Sequence, residues 1–269
     1  MAKLSLSGAW DETRAVLARD GKLFGAVALA LLVLPQTVMG LFTPADPAQM
    51  SGNFDLLLIV VLLAAISGQV AINRLALPPS ATVAAGLSRG VRRMPAVLVS
   101  LFIVFVIVFL LFIAVALVLM ATGLVGAPVT GGQPPVELVA VLVLLFIAAY
   151  AAFQLVVPAA AAEQGGPIHL VRRSWGLSKH HYWRLVAFLL IVIAGMLMIW
   201  VTAQLVIGLA FTALLGPPER GSLGLLLISL GVALAQAGWT VVTSVMVARI
   251  YAQLGGPAQA DVSVPNSGA

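Results

Sequence analysis

The segment from Val171 to Leu185 (VRRSWGLSKHHYWRL) contains most of the side chains of this protein that could bind or transform a ligand. It includes two adjacent histidines, His180 and His181, and His169 lies just before it. Three kinds of chemistry use such residues: metal binding by imidazoles, nucleic-acid binding by cations and stacked rings, and anchoring at a membrane surface. The cationic and aromatic residues of the segment are Arg172, Arg173, Trp175, Lys179, Tyr182, Trp183 and Arg184.

The spacing of the histidines argues against a metal site. If residues 168–181 form one helix, His169 and His180 lie about 16 Å apart, too far to share an ion. His180 and His181 are rotated about 100° from each other on a helix, which is poor geometry for chelation. The sequence has no cysteine, which excludes disulfides, iron–sulfur clusters and thiolate catalysis. We expect no metal and no other cofactor, and we interpret the histidines as facing lipid headgroups.

The composition of the whole chain separates the two remaining interpretations. Of the 269 residues, 62% are hydrophobic and 9% are charged, and the mean hydropathy is +1.13. A soluble domain has roughly 25% charged residues, so this chain cannot cover a globular surface with solvated side chains. It is predicted to be an integral membrane protein. The basic and aromatic segment is therefore interpreted as membrane interface and not as a nucleic-acid site, because Trp, Tyr, Arg and Lys all suit that boundary.

Six segments are long and apolar enough to cross the hydrocarbon core, which takes about 20 residues. The distribution of positive charge agrees with this count. Of the 14 Lys and Arg residues, 13 fall at the N terminus, in the second and fourth connections or at the end of the last span. Positive residues stay on the cytoplasmic side, so both termini are predicted to be cytoplasmic. The predicted spans are Leu23–Phe42, Phe54–Ile72, Ala96–Leu119, Val136–Val157, Leu185–Leu214 and Leu223–Ile250.

Each basic segment before an odd-numbered span has the pattern of a short amphipathic helix, which we term an elbow. Such a helix lies in the interface with its apolar stripe toward lipid and its basic side toward anionic headgroups. The apolar stripes are Leu6, Ala9, Trp10, Thr13, Val16 and Leu17; Val83, Leu87, Val91 and Met94; and Ile168, Val171, Trp175 and Tyr182. The residues predicted to face headgroups or the interface are Arg14, Arg89, Arg92, Arg93, Arg172, Arg173, Trp175, Lys179, Tyr182, Trp183 and Arg184.

The order of elbow, span, outer loop and span occurs three times, which predicts an internal repeat. The approximate repeats are 5–74, 80–158 and 167–250, within a transmembrane domain of residues 1–257. Residues 258–269 are small and polar, and they are predicted to form a disordered cytoplasmic tail. The predicted fold class is an all-α integral membrane protein with six transmembrane helices, arranged as three hairpins with cytoplasmic amphipathic elbow helices.

Charged residues are absent from the middle of every predicted span. Such residues mark proton pumps and many ion transporters, so ion-coupled transport is disfavoured. Gln69 and Gln154, near the inner ends of equivalent spans, are candidates to line a polar cavity, with Gln204 as a third, and Pro35 predicts a kink. The other uncharged polar residues of the spans, interpreted mainly as interhelical hydrogen bonds, are Gln36, Thr37, Ser67, Asn73, Thr202, Gln236, Thr240, Thr243 and Ser244.

A short pattern at the start of the fifth span reads Arg-Ser-Trp-x-Leu and then Trp-Arg-Leu. Its residues are Arg173, Ser174, Trp175, Leu177, Trp183, Arg184 and Leu185. The pattern resembles the membrane-domain family that is fused to some bacterial glycerophosphodiester phosphodiesterases, with stand-alone relatives such as YciC-like inner-membrane proteins. The resemblance implies a bacterial inner-membrane location. This chain has no room for the soluble phosphodiesterase barrel of the fused members, so we do not expect that activity. We expect no other enzymatic function either, because the sequence shows no cluster of acidic residues or metal ligands.

The leading hypothesis is a non-enzymatic multi-pass inner-membrane protein that organises, binds or passes lipids or other membrane components. This hypothesis is based on the three basic elbows, because each Lys or Arg near an anionic leaflet contributes about 1 kcal/mol of attraction to the membrane. Anionic headgroups are the expected partners, and nucleic acid is not. One alternative is a small-molecule permease or channel with a polar path near Gln69, Gln154 and Gln204. Another is a membrane subunit or assembly factor of a larger complex, whose protein partner the sequence does not identify.

Overall fold

A computed structural model of the chain describes residues 4–43, 52–78, 81–123, 125, 135–217 and 221–255. This described part is almost entirely helical and contains no strand. Six helical segments in it are long and apolar enough to cross a membrane. The prediction of six spans is confirmed, and the chain is an all-α multi-pass membrane protein. The predicted tail at 258–269 lies outside the described residues.

The helical segments are longer than the predicted spans because the helices continue past the apolar stretches. The first span is built from two helices joined by a π-helical turn, and the fourth is also built from two helices. The helices in order are α1 (Leu6–Ala28), α2 (Leu34–Phe42), α3 (Gly52–Ala76), α4 (Val83–Ala121), α5 (Val136–Phe153), α6 (Val156–Ala162), α7 (Pro167–Ser178), α8 (Tyr182–Leu215) and α9 (Leu223–Gln253).

The predicted kink at Pro35 takes the form of the π-helical turn over Leu29–Val33. A proline has no N–H, and its ring clashes with the carbonyl four residues earlier, here that of Leu31. The wider turn gives that carbonyl room, with the N–H of Leu34 donating to the carbonyl of Leu29, five residues back. The helix therefore continues into α2 without a break.

Two of the three predicted elbows are not separate helices. α1 and α4 each run without interruption from the basic segment into the apolar one, and α4 accommodates Pro95 in its interior. The third elbow is a separate helix, α7. The 39 residues of α4 extend about 58 Å at about 1.5 Å per residue, whereas the hydrocarbon core is about 30 Å thick. Part of α4 therefore projects beyond that core.

The apolar stripe of the first elbow faces the protein. Ala9, Thr13 and Val16 are buried, and α1 packs along α9. The Thr13 hydroxyl donates to the carbonyl of Ala9 at 2.7 Å, which removes its need for a partner outside the helix. The prediction that this stripe lies on lipid is wrong for these three residues, whereas Trp10 is 43% exposed.

Helix α7 buries a face that hydropathy did not indicate. Leu170, Ser174 and Ser178 are buried at successive turns, whereas Ile168 and Trp175 of the predicted stripe are exposed. The Ser174 hydroxyl donates to a carbonyl of α5 at 3.1 Å. Serine is small enough to let α7 approach α5. The hydroxyl of Ser174 is satisfied there, whereas that of Ser178 has no partner among the described atoms.

The two spans of each predicted hairpin pack on each other. α2 packs on α3, α4 on α5, and α8 on α9, which confirms the predicted pairing across the outer connections. α9 also contacts α1, α2 and α3 and so lies at the centre of the bundle. The buried core is concentrated at the basic end, and its largest side chains there include Phe24, Ile72, Leu155, Leu185 and Tyr251. Elsewhere α4, α5 and α8 expose many Leu, Val, Ile and Phe side chains, as helices that face lipid do.

Candidate functional site

The carboxylate of Glu163, just after α6, joins three elements at the basic end. Its Oε1 accepts hydrogen bonds from Nε of Arg173, at 2.8 Å, and from the hydroxyl of Tyr251. Its Oε2 lies 3.8 Å from Nδ1 of His169. Arg173 also donates from Nη2 to the carbonyl of Gly255 at 2.7 Å. A single acidic side chain therefore connects the end of α6, helix α7 and the end of α9.

The charge on Arg173 is stabilised by this arrangement. Burial lowers the pKa of the Arg173 guanidinium, but the hydrogen bond and negative charge of Glu163, together with Tyr251, raise it more. The net effect is a pKa above the ordinary value for arginine, so Arg173 stays cationic beside the carboxylate. This pair was not predicted, because Glu163 and Arg173 were assigned to a connection and to a headgroup-facing surface.

Two arginines of α4 hold the segment that follows α6. Nη2 of Arg89 donates to the backbone carbonyl of Glu163 at 2.7 Å, and Nη2 of Arg93 donates to the same oxygen. Nη1 of Arg93 donates to the carbonyl of Gly165 at 2.9 Å. Carbonyls at a helix C terminus lack partners within the helix, so these guanidiniums satisfy them. The open cleft formed here, called the arginine cleft, is lined by Ala85, Ser88, Arg89, Arg92, Arg93 and Gln164.

The arginine cleft has an excess of positive charge. None of the ion pairs between described residues involves Arg89, Arg92 or Arg93. Nε of Arg89 is buried and has no hydrogen-bond partner among the described atoms. Guanidinium groups bind phosphate and carboxylate oxygens through paired N–H donors. The cleft is therefore suited to an anion.

The other residues predicted to face headgroups are exposed or tethered to the protein. Trp183 is 79% exposed, and the half-buried Tyr182 donates its hydroxyl to the carbonyl of Ala148 at 3.3 Å. Arg184 donates to the carbonyl of Leu4 at 2.7 Å, which ties the start of α8 to the N-terminal segment. Contact of these residues with headgroups stays a prediction. The remaining exposed ones are Arg14, Arg92, Arg172, Trp175 and Lys179.

The three histidines have different surroundings. His180 is exposed and His181 is half-buried, and His169 faces Glu163. Within the described ranges no three His, Asp or Glu side chains are close enough together to hold a metal ion.

A cavity of about 190 Å³, called the interior cavity, lies between α3, α5, α6, α8 and α9. Gln69 and Gln154 both line it. The prediction that Gln204 shares this path is wrong, because Gln204 is exposed on α8, about 12 Å further along the helix than Met196. The lining residues are Gln69, Asn73, Tyr150, Gln154, Val157, Phe188, Leu189, Val192, Met196, Trp239, Thr240, Thr243, Ser244 and Val247.

Two residues that line the interior cavity each have one polar atom that is fully buried and has no partner among the described atoms. Asn73 is 2% exposed, and its Nδ2 donates to the carbonyl of Gln69 at 2.8 Å, but its Oδ1 accepts nothing. Nε1 of Trp239 is buried and donates to nothing. Thr240 and Thr243 donate to carbonyls of their own helix at 2.9 and 3.0 Å. The interpretation that these two threonines donate hydrogen bonds to another helix is therefore wrong.

Gly195 of α8 creates the space that the Trp239 indole occupies. A Cβ on Gly195 would lie 2.5 Å from Cη2 of that ring, closer than side chains pack. A second cavity of about 100 Å³ shares Gln69 and Thr240 with the interior cavity and is also lined by Gln36 and Gln236. Polar side chains therefore continue along the bundle from the basic end toward its middle.

A protein-family model described as a domain of unknown function, DUF7847, matches residues 5–254. The match includes every helix of the bundle, the Glu163 network, the arginine cleft and the interior cavity. No curated protein matches the chain, and no solved structure matches it.

Proposed function

The chain belongs to the DUF7847 family, and we propose that it is a non-enzymatic membrane protein that binds anionic lipids through the arginine cleft at the basic end of its bundle. The observation that carries this proposal is the convergence of Arg89, Arg92 and Arg93 on one open cleft without a carboxylate partner among the described residues.

The depth of the cleft agrees with a lipid phosphate as its ligand. The part of α4 that follows Arg93 is about 40 Å long at about 1.5 Å per residue. That length exceeds a hydrocarbon core of about 30 Å, so an α4 with its far end at the opposite surface places Arg92 and Arg93 at the level of the headgroups. A guanidinium there gains about 1 kcal/mol from an anionic leaflet, and paired N–H donors add specificity for phosphate oxygens.

The proposed location is the bacterial inner membrane with both termini in the cytoplasm. The concentration of Lys and Arg at one end of the bundle supports this orientation, since positive residues are retained on the cytoplasmic side. The segment from Arg173 to Leu185 resembles the membrane domain of the fused phosphodiesterases. This resemblance supports the bacterial inner membrane as the location.

Native mass spectrometry of the protein extracted from membranes containing phosphatidylglycerol and phosphatidylcholine tests the proposal. Arg92→Gln is the variant of choice, because Arg92 is exposed and lines the cleft, whereas Arg89 and Arg93 also hold Glu163. We expect this variant to retain several-fold less phosphatidylglycerol than the native chain. Arg19→Gln, which removes an exposed arginine of α1 that already pairs with Asp20, is the matched control and should change nothing. Equal retention by Arg92→Gln and the native chain, or no preference for phosphatidylglycerol, would contradict the proposal.

A further inference from the structure

We infer that the interior cavity is a binding site for a small uncharged molecule that carries hydroxyl or amide groups. This inference is independent of the arginine cleft, because the two sites share no residue. It depends on the polar but uncharged lining and on the volume of the cavity.

The polar side chains of the lining define what the ligand must offer. Gln69 and Gln154 carry carboxamides, which can both donate and accept, and Thr243 carries a hydroxyl. A hydroxyl or amide group on the ligand can therefore hydrogen-bond to this lining.

The lining favours an uncharged molecule. Carboxamides come from Gln69, Asn73 and Gln154, and hydroxyls come from α9, whereas no Lys, Arg, His, Asp or Glu is among the described residues that line the cavity. A buried ion without a counter-charge is strongly disfavoured. Amides and hydroxyls offer donors and acceptors without imposing a charge, which is the chemistry of a neutral polar site.

Size and shape limit the ligand further. The volume of about 190 Å³ exceeds that of an engineered cavity of about 150 Å³ that holds benzene. Phe188, Leu189, Val192 and Met196 of α8 form an apolar wall opposite the polar residues of α3 and α9. The site therefore fits a compact molecule of roughly benzene size, with one apolar and one polar side.

Acrylamide is the probe that tests this site, because it is a small neutral amide and quenches indole fluorescence on contact. The full chain is placed in lipid nanodiscs with Trp239 as its one tryptophan, after substitution of Phe for Trp10, Trp175, Trp183 and Trp200. We expect the quenching of Trp239 to saturate with acrylamide concentration and to be relieved by propionamide, a non-quenching analogue. Iodide, a charged quencher, should leave Trp239 unquenched.

Three outcomes would overturn the inference. Absence of acrylamide quenching would mean that the cavity admits no neutral solute. Quenching that rises without saturation and ignores propionamide would mean a cavity filled by exchanging water only. Equal quenching by iodide and acrylamide would mean an open aqueous path without selection against charge. If the variant with Trp239 alone fails to fold, the native chain is compared with Trp239→Phe, and the difference in quenching gives the same measurement.

Two substitutions assign the binding to the polar lining. Thr243→Val and Asn73→Leu keep the size of each side chain and remove its polar atoms, so each should raise the acrylamide concentration for half-saturation at least fivefold. Gln204→Leu makes the same kind of change on the exposed side of α8 and should leave the half-saturation unaltered. Unchanged half-saturation in Thr243→Val and Asn73→Leu, in protein with native thermal stability, would contradict the assignment. Thr243→Val suffices if Asn73→Leu fails to fold.

Discussion

A Cβ atom on Gly90 of α4 would overlap the backbone carbonyl oxygen of Ser67 in α3 and lie 3.2 Å from its carbonyl carbon. The two helices therefore meet backbone to backbone at this point. In a membrane, where lipid is as apolar as a side chain, helices associate through such close approaches of small residues. Arg89 of the arginine cleft directly precedes Gly90 in α4, and Gln69 of the interior cavity lies two residues after Ser67 in α3. This contact therefore sets the position of the arginine cleft relative to the interior cavity.

Gly90→Ala is expected to destabilise the protein by about 1–3 kcal/mol, since the added methyl group meets a backbone atom that cannot rotate away. Thermal unfolding in a mild detergent measures the effect. Gly208→Ala in α8 is the matched control, because a Cβ there meets nothing within 4 Å; the same substitution at that position should be neutral or slightly stabilising. Equal stability of the Gly90→Ala variant and the native chain would show that α3 and α4 do not touch at this position.

The Glu163–Arg173 pair is expected to couple α6 to α7. In a double-mutant cycle of Glu163→Gln and Arg173→Gln, the coupling free energy should be about 1–2 kcal/mol, as for hydrogen bonds to charged groups that are only partly buried. The unfolding free energy of the four proteins gives this value. Additive single effects would contradict a direct interaction. The cycle of Glu163→Gln with Arg172→Gln, which removes the neighbouring exposed arginine, serves as the control and should be additive.

Gly195→Ala is expected to displace the indole of Trp239, because the new methyl group occupies the position of the ring edge. The emission spectrum of the protein that retains Trp239 alone should shift, and saturable quenching by acrylamide should be lost. Gly238→Ala lies next to Trp239 in α9 but has open space around the added Cβ, so its emission should be unchanged. An unshifted spectrum in Gly195→Ala would place the indole elsewhere.

The proposed orientation predicts labelling from opposite sides of the membrane. The chain has no cysteine, so Thr122→Cys and Lys179→Cys each introduce a single thiol at an exposed position. A membrane-impermeant maleimide should label Thr122→Cys in intact cells and Lys179→Cys only after permeabilisation. Labelling of both variants from the same side would contradict the six-span topology, and the reverse pattern would contradict the orientation.

Local sequence patterns were sufficient to predict the spans and to predict which end of the bundle carries the positive charge. An apolar run of about 20 residues must form a helix in a membrane, because every backbone N–H and C=O needs a partner within the segment. Lys and Arg cannot remain in hydrocarbon, so their positions mark the ends of those helices. Pro35 likewise affects its own turn, so a local distortion of the first helix was predictable from covalent geometry alone.

The sites were only partly predictable. Gln69 and Gln154, which both lie near the inner end of a span, line one cavity, whereas Gln204 faces outward although it is equally polar. Hydropathy also did not indicate the buried serines of α7 or the unpartnered Oδ1 of Asn73.

The sequence by itself determined the number of spans, the helical class and the clustering of positive charge at one end, since each follows from the free energy of placing a residue in lipid or in water. Only the tertiary structure decided which side of each helix faces the protein, that Glu163 pairs with Arg173, and that α3 meets α4 at Gly90. The physical reason is that lipid and protein interior are both apolar. Hydrophobicity therefore does not distinguish the two sides of a span, and close packing and hydrogen-bond geometry between distant residues make that choice.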